Sequence, residues 1–165
     1  MSYLHTIVRH FAFIIFCMKE NTLQKIQRKT GRKVSFCKCN RCKTQCFHPC
    51  LPTPEDVEKL INNGFGDKLM LIDWTGALNA GWLNKSVLII TPKLKSDDSS
   101  CIFFENGLCQ LHDLGLKPTE GKLSHHSTTQ LNFNPKKSIG LHVAKEWIDV
   151  ENNYFSELIK KINSN

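Results

Sequence analysis

No stretch of this 165-residue chain is apolar for long enough to cross a bilayer as a helix, which takes about 20 consecutive residues. The candidate for export lies in residues 1–18, where Arg9 precedes a short apolar run. That layout suits the apolar core of a signal sequence, yet no small-x-small cleavage site follows, and Lys19, Glu20 and Asn21 come at once. Residues 1–18 therefore read as an N-terminal extension, upstream of a start at Met18, or as a short helix, and residues 19–165 as one domain. Without export signals, a cytoplasmic location is expected, and its cysteines are expected to be thiols and not disulfides.

Catalytic signatures are missing as well. The chain has no glycine-rich cofactor or phosphate loop, no CxxxCxxC box of the radical enzymes, no nucleophile triad and no carboxylate pair. Glu55, Asp56 and Asp113 have ordinary capping or surface explanations, so no reaction is assigned. A net charge of +7 leaves nucleic acid, an anionic surface or an acidic protein open as partners. The basic residues Arg28, Lys29, Arg32, Lys33, Lys38, Arg41 and Lys43 carry no interleaved aromatic platform and no recognition helix, which favours a solvated loop over a nucleic-acid contact. Their charge also lowers nearby thiol pKa values and so favours the metal-binding thiolate.

What the chain does have is cysteine. Five of its eight cysteines fall between Cys37 and Cys50, in the run CKCNRCKTQCFHPC. Such spacings suit wrapping a soft metal better than pairing with one another. Cys17 lies apart and reads as a buried apolar residue or a free thiol.

Regular structure is expected on both sides of that run. Thr22–Lys29 suits a short helix capped by Thr22 and ended by Gly31. After Cys50, Thr53 is a cap, Pro54 fits the first helical position, Glu55 and Asp56 suit the helix dipole, and Asp56 completes a capping box. Val57, Leu60 and Ile61 form the apolar face of that helix, and Gly64 stops it. Lys68–Trp74 suits a strand or a buried helical turn, Lys85–Thr91 a strand ended by Pro92, and Lys93–Ser100 an exposed loop. Trp74 and Trp82 read as core or pocket wall. Helices over Ser138–Ile148, with Leu141, Ala144, Trp147 and Ile148 inward, and over Tyr154–Ile162 complete an α+β fold with short strands, peripheral helices and extensive loops.

Asn106-Gly107, between two apolar runs, is a hairpin signal. A two-residue type I′ turn puts Phe104 opposite Cys109 and sends Cys101 and Cys109 to opposite sides. A three-residue bulged turn puts them on the same side. A metal site holding both cysteines thus demands the bulged turn or an irregular hairpin.

Cys39-Asn40-Arg41-Cys42-Lys43-Thr44-Gln45-Cys46 is similar to the CxxCxxCC box of the YkgJ-type cysteine-cluster family, whose members are described as zinc- or iron-chelating domains. Gln45 stands where the third cysteine would be. Cys101-Ile102-Phe103-Phe104, Cys109-Gln110-Leu111-His112 and Gly115-Leu116-Lys117-Pro118 resemble the later boxes in order, with Gly121 where a further cysteine is common. The resemblance implies Cys39, Cys42, Cys46, Cys101 and Cys109 as metal ligands. Cys37, Cys50, His48, His112, and His125 or His126 beside the lost position, are within reach as substitutes.

Mixed Cys and His ligands favour zinc, whereas four thiolates equally hold an iron–sulfur cluster. The expected function is a metal-binding protein with a mainly structural site. An iron–sulfur enzyme is an alternative, because the resemblance extends to a flagellin lysine methylase, and a basic zinc module for nucleic acid is a third reading.

Overall fold

The computed structural model describes residues 20–127 and 134–164. The extension at 1–18, Cys17 included, lies outside the described residues. Among those residues no helix is long and apolar enough to cross a membrane.

The fold is α+β, with helices packed around two small antiparallel sheets. Helix α1 (Thr22–Thr30) carries a capping box, but its cap is Asn21 and not Thr22: the Asn21 side chain accepts from Gln24 N, and the Gln24 side chain accepts from Asn21 N. Gly31 ends the helix at φ 70°, a left-handed position where glycine avoids the Cβ penalty. The cysteine-rich run then forms only a short helix α2 (Asn40–Lys43) and a 3-10 turn (Thr44–Phe47) before α3 (Pro54–Asn62) begins.

Helix α3 starts as its sequence dictates. Thr53 Oγ1 accepts from Asp56 N (3.2 Å) and Asp56 Oδ2 accepts from Thr53 N (3.0 Å). The same Oδ2 also accepts from Thr119 N (2.8 Å), and Lys122 Nζ lies 3.6 Å from Oδ1. Thr119 and Lys122 belong to α6 (Thr119–Leu123), so one buried carboxylate fastens two helix starts together.

Strands β1 (Leu69–Trp74) and β2 (Val87–Pro92) pair antiparallel from Leu69↔Pro92 to Trp74↔Val87, with α4 (Gly76–Asn79) between them. The ambiguous Lys68–Trp74 stretch is thus a strand, and Pro92 is the last residue of β2. Ile89, Ile90 and Thr91 are fully buried, while Leu71 and Leu88 face solvent. The core joins these strands to Ile26, Val57, Leu60, Phe103, Val143, Trp147 and Leu158.

Helix α7 (Ile139–Ile148), capped by Ser138, and α8 (Asn152–Asn163) close the molecule. Trp147 is buried and its Nε1 donates to Pro52 O (2.8 Å), anchoring α7 beneath the exit of the cysteine run. Ile148, expected to point inward, is 41% exposed because the core-facing positions of this turn are taken by Ala144 and Trp147. Trp74 packs against the core margin, close over Gly76, in keeping with a wall residue.

The two capping partners carry different weights. Thr53→Ala is expected to lower the unfolding free energy by about 1 kcal/mol, a typical cap loss. Asp56→Ala should cost about 3 kcal/mol, because it strands the Thr119 amide and the Lys122 ammonium as well. Urea titrations of both variants check the ranking, and equal midpoints would refute it.

Candidate metal centre

The run Cys37–Cys50 bends in a way its sequence explains. Cys39 is extended and sits at the start of α2, whose first hydrogen bonds run from Cys42 N and Lys43 N to Cys39 O (3.0 and 3.1 Å). One helical turn therefore brings Cys39 and Cys42 to the same side, as residues three apart do. Cys37 lies two residues upstream on extended chain, where its N–H donates to Ser35 Oγ (3.3 Å). Ser35 N in turn donates to Lys122 O (2.8 Å), laying this segment along α6.

Helix α6 ends at Leu123, and His126 follows three residues later. Its Nδ1 lies 3.6 Å from Cys37 Sγ, 3.4 Å from Cys39 Sγ and 3.4 Å from Cys42 Sγ. All four ligand atoms lie within 4.8 Å of one another, so the group is able to hold a metal ion. It is the one such group of three or more Cys, His, Asp or Glu among the described residues. The Cys42 backbone N–H beside Cys39 holds that thiol below its ordinary value, with the Cys37 side chain adding to the effect. Burial pushes the Cys42 thiol up, partly offset by the His126 backbone N–H.

The other candidates lie elsewhere. The 3-10 turn after α2 carries Cys46 away from the first group, and Cys46 O accepts from Cys101 N (2.7 Å). Cys46, Cys50, Cys101 and Cys109 line a second cavity that Cys42 also borders, and of the set Cys39, Cys42, Cys46, Cys101 and Cys109 only Cys39 and Cys42 join the His126 group. Burial raises all four of these thiols, Cys101 to about 11 and Cys50 well above its ordinary value.

The hairpin explains how Cys101 and Cys109 come to share a cavity. Strands β3 (Phe104–Glu105) and β4 (Leu108–Cys109) pair Phe104 with Cys109 across Asn106-Gly107, whose φ values of 50° and 73° fit a two-residue turn. No bulge is needed, because the ladder stops after two pairs. Cys101 bridges Leu94 instead, Phe104 N donates back to Cys101 O (2.8 Å), and α5 (Gln110–Asp113) begins at once after Cys109. The ribbon is irregular, and Cys101 never faces His112.

Of the histidines, His48 is exposed after the 3-10 turn. His112, in α5, packs edge-on against Phe36, with centroids 5.8 Å apart. His125 Nδ1 accepts from Ser127 N (3.2 Å), and its ring lies 4.0 Å from that of His126. His142, beyond the site, has its Nε2 2.9 Å from Lys136 O. Cys37 and His126 rank second in the sequence, although both carried a signal: Cys37 is two residues from Cys39, and His126 stands near the missing cysteine at Gly121.

No family model matches this chain, and neither a curated protein nor a solved structure matches it.

Glu120 of α6 has its Oε2 accepting from the N–H of Leu51 (2.8 Å), the residue that follows Cys50. Burial raises its carboxyl from 4.5 to about 7. Because the folded value is the higher one, the stabilising protonated form contributes fully below 4.5, and its contribution is lost as pH rises through about 7. Glu120→Gln keeps an acceptor for Leu51 N and is expected to flatten the fall in stability across that window. Denaturation midpoints measured at several pH values check this, and a slope unchanged from wild type would refute it.

Proposed function

We propose that this chain binds one zinc ion through Cys37, Cys39, Cys42 and His126, and that the ion is structural. The observation that carries the reading is the near-equal spacing of His126 Nδ1 from three sulfurs, at 3.6, 3.4 and 3.4 Å. A tetrahedral ion with Zn–S bonds of about 2.3 Å and a Zn–N bond of about 2.0 Å separates S from N by about 3.5 Å. Four protein ligands also leave no open position for substrate, as structural zinc sites do and catalytic ones do not.

The location supports the same role. Residues 31–50 include no fully buried residue, and the ligands join this segment to the stretch after α6. A metal joining them adds to the one partly buried contact, Val34, that this segment makes with the core. The ordered boxes that resemble the YkgJ-type family agree with metal chelation, and kinship with that family is a proposal resting on those motifs.

Elemental analysis of the purified protein is expected to give one zinc per chain at this site. Cys39→Ser and His126→Ala should each lose it and melt roughly 10 °C lower, the shift that a few kcal/mol produces at this size. Cobalt substituted for zinc should show the visible bands of a tetrahedral thiolate site in wild type and not in His126→Ala. Full zinc content and unchanged melting in both variants would overturn the proposal.

A further inference from the structure

We propose that the apolar, lysine-bearing face formed by the hairpin and the cysteine run docks an acidic segment of another protein and seats one of its carboxylates between Lys43 and Lys117. Several of the exposed large apolar side chains gather here: Phe36 and Phe47 from residues 31–50, Leu108 from the hairpin and Leu114 from the end of α5. Ring contacts tie the two segments together. Phe36 lies edge-on to His112 and Phe47 edge-on to Phe104, with centroids 5.8 and 5.6 Å apart. His112, Phe104 and Leu108 in turn line one cavity of about 40 Å³, and Leu114 follows Asp113, which also borders it. Clustered apolar groups left in water mark binding surfaces.

The charge of the cavity sets the partner. Lys38, Lys43 and Lys117 line it together, and a Cβ at Gly107 would lie 3.6 Å from Lys43 Nζ, which places that ammonium at the hairpin turn. Asp113 is the one carboxylate on the wall; it is exposed and lies 3.6 Å from Lys38. Lys43 and Lys117 are half-buried and have no carboxylate within ion-pair distance among the described residues. Cys46 and Cys109, also on the wall, have their thiols raised by burial and so bring no charge, while Cys37 and Cys42 give their sulfurs to the His126 group. A partly buried ammonium without a counter-charge has lost hydration and recovered nothing, which an incoming carboxylate corrects. A cavity of about 40 Å³ is room for roughly three waters. That suits a carboxylate and not a ring.

Other occupants fit less well. A second copy of this chain would set lysines against lysines. Residues 1–19 contain no Asp or Glu, so the N-terminal segment lacks the complementary charge. A single nucleic-acid strand stacks its bases on aromatic faces, whereas Leu108 and Leu114 offer aliphatic surface and the cavity admits no base. A peptide with aliphatic or aromatic residues beside an acidic one meets both halves of the surface: the apolar contacts supply affinity, and the carboxylate fixes the register.

Random peptides displayed on phage can be selected against the full chain as purified, with the Lys43→Glu protein as soluble competitor. The enriched sequences should carry Asp or Glu beside Leu, Phe or Trp. The best of them, synthesised with a fluorescent label, should bind at least about tenfold more weakly to Lys43→Glu, Lys117→Gln and Phe36→Ala than to wild type. Circular dichroism checks that each variant is folded. Lys85→Glu makes the same charge change as Lys43→Glu in a different groove, and it should leave the affinity unchanged. No enrichment above background, enriched peptides without an acidic residue, or an affinity untouched by Lys43→Glu and Phe36→Ala would each overturn the proposal. So would a single-stranded thymidine oligonucleotide that binds with the same dependence on Lys43 while the peptides do not.

Discussion

The buried Asp56 carboxylate accepts the N–H of Thr53 at the start of α3 and the N–H of Thr119 at the start of α6, with Lys122 beside it. Helix α3 emerges from the cysteine run, and α6 leads to His126. A second link runs parallel to it, since Leu51 N donates to the Glu120 side chain and Glu120 N donates to Leu51 O (3.3 Å). Residues distant in sequence are thereby held in register at both ends of the candidate site. A carboxylate accepting charge-assisted bonds is stronger than a neutral acceptor, and here it fixes two chain directions at once. Trp147 adds the third constraint by donating to Pro52 O from below.

From that junction the cysteines divide by simple geometry. A helical turn gathers Cys39 and Cys42, and the 3-10 turn that follows redirects the chain so that Cys46 meets Cys101. Helix α6 then serves both groups: its C-terminal end delivers His126 to one, and Gly121 in its middle admits Cys50 to the other. The His126 group is more open, with Cys39 exposed, whereas Cys101 is buried. Cys39 is held below its ordinary value, whereas burial raises Cys42 and all of the enclosed four.

Much of the fold is legible in sequence because the signals are local. The Thr53-Pro54-Glu55-Asp56 start, the Asn106-Gly107 turn, the glycine end of α1 and the apolar spacing of α7 are each written within a few residues. Where two local signals competed, the nearer one misled: Asn21 caps α1 because its partner Gln24 completes a box, which Thr22 lacks. The site was legible as an inventory but not as a partition. Whether Cys46 faces His126 or Cys101 depends on a single 3-10 turn, and whether Cys101 and Cys109 converge depends on the ladder stopping after two pairs. Neither event has a periodic signature. Gly121 likewise reads as a lost cysteine, and only the position of Cys50 Sγ gives it a reason.

The cysteine run differs from the rest of the molecule in what orders it. Helices α3, α7 and α8 and strand β2 each place fully buried side chains in a common core, whereas residues 31–50 place none there. Ordering backbone costs roughly 1–2 kcal/mol per residue, and a few backbone bonds of about 1 kcal/mol each do not offset that over such a length. The Phe36 ring, 74% exposed, contributes little burial even beside His112. Beyond the partial packing of Val34 on the core, the proposed coordination by Cys37, Cys39, Cys42 and His126 would supply free energy at these positions. Burial of Ile26 before the cysteine run and of Leu51 after it orders its two flanks, and it is between those flanks that Cys37, Cys39 and Cys42 gather against His126.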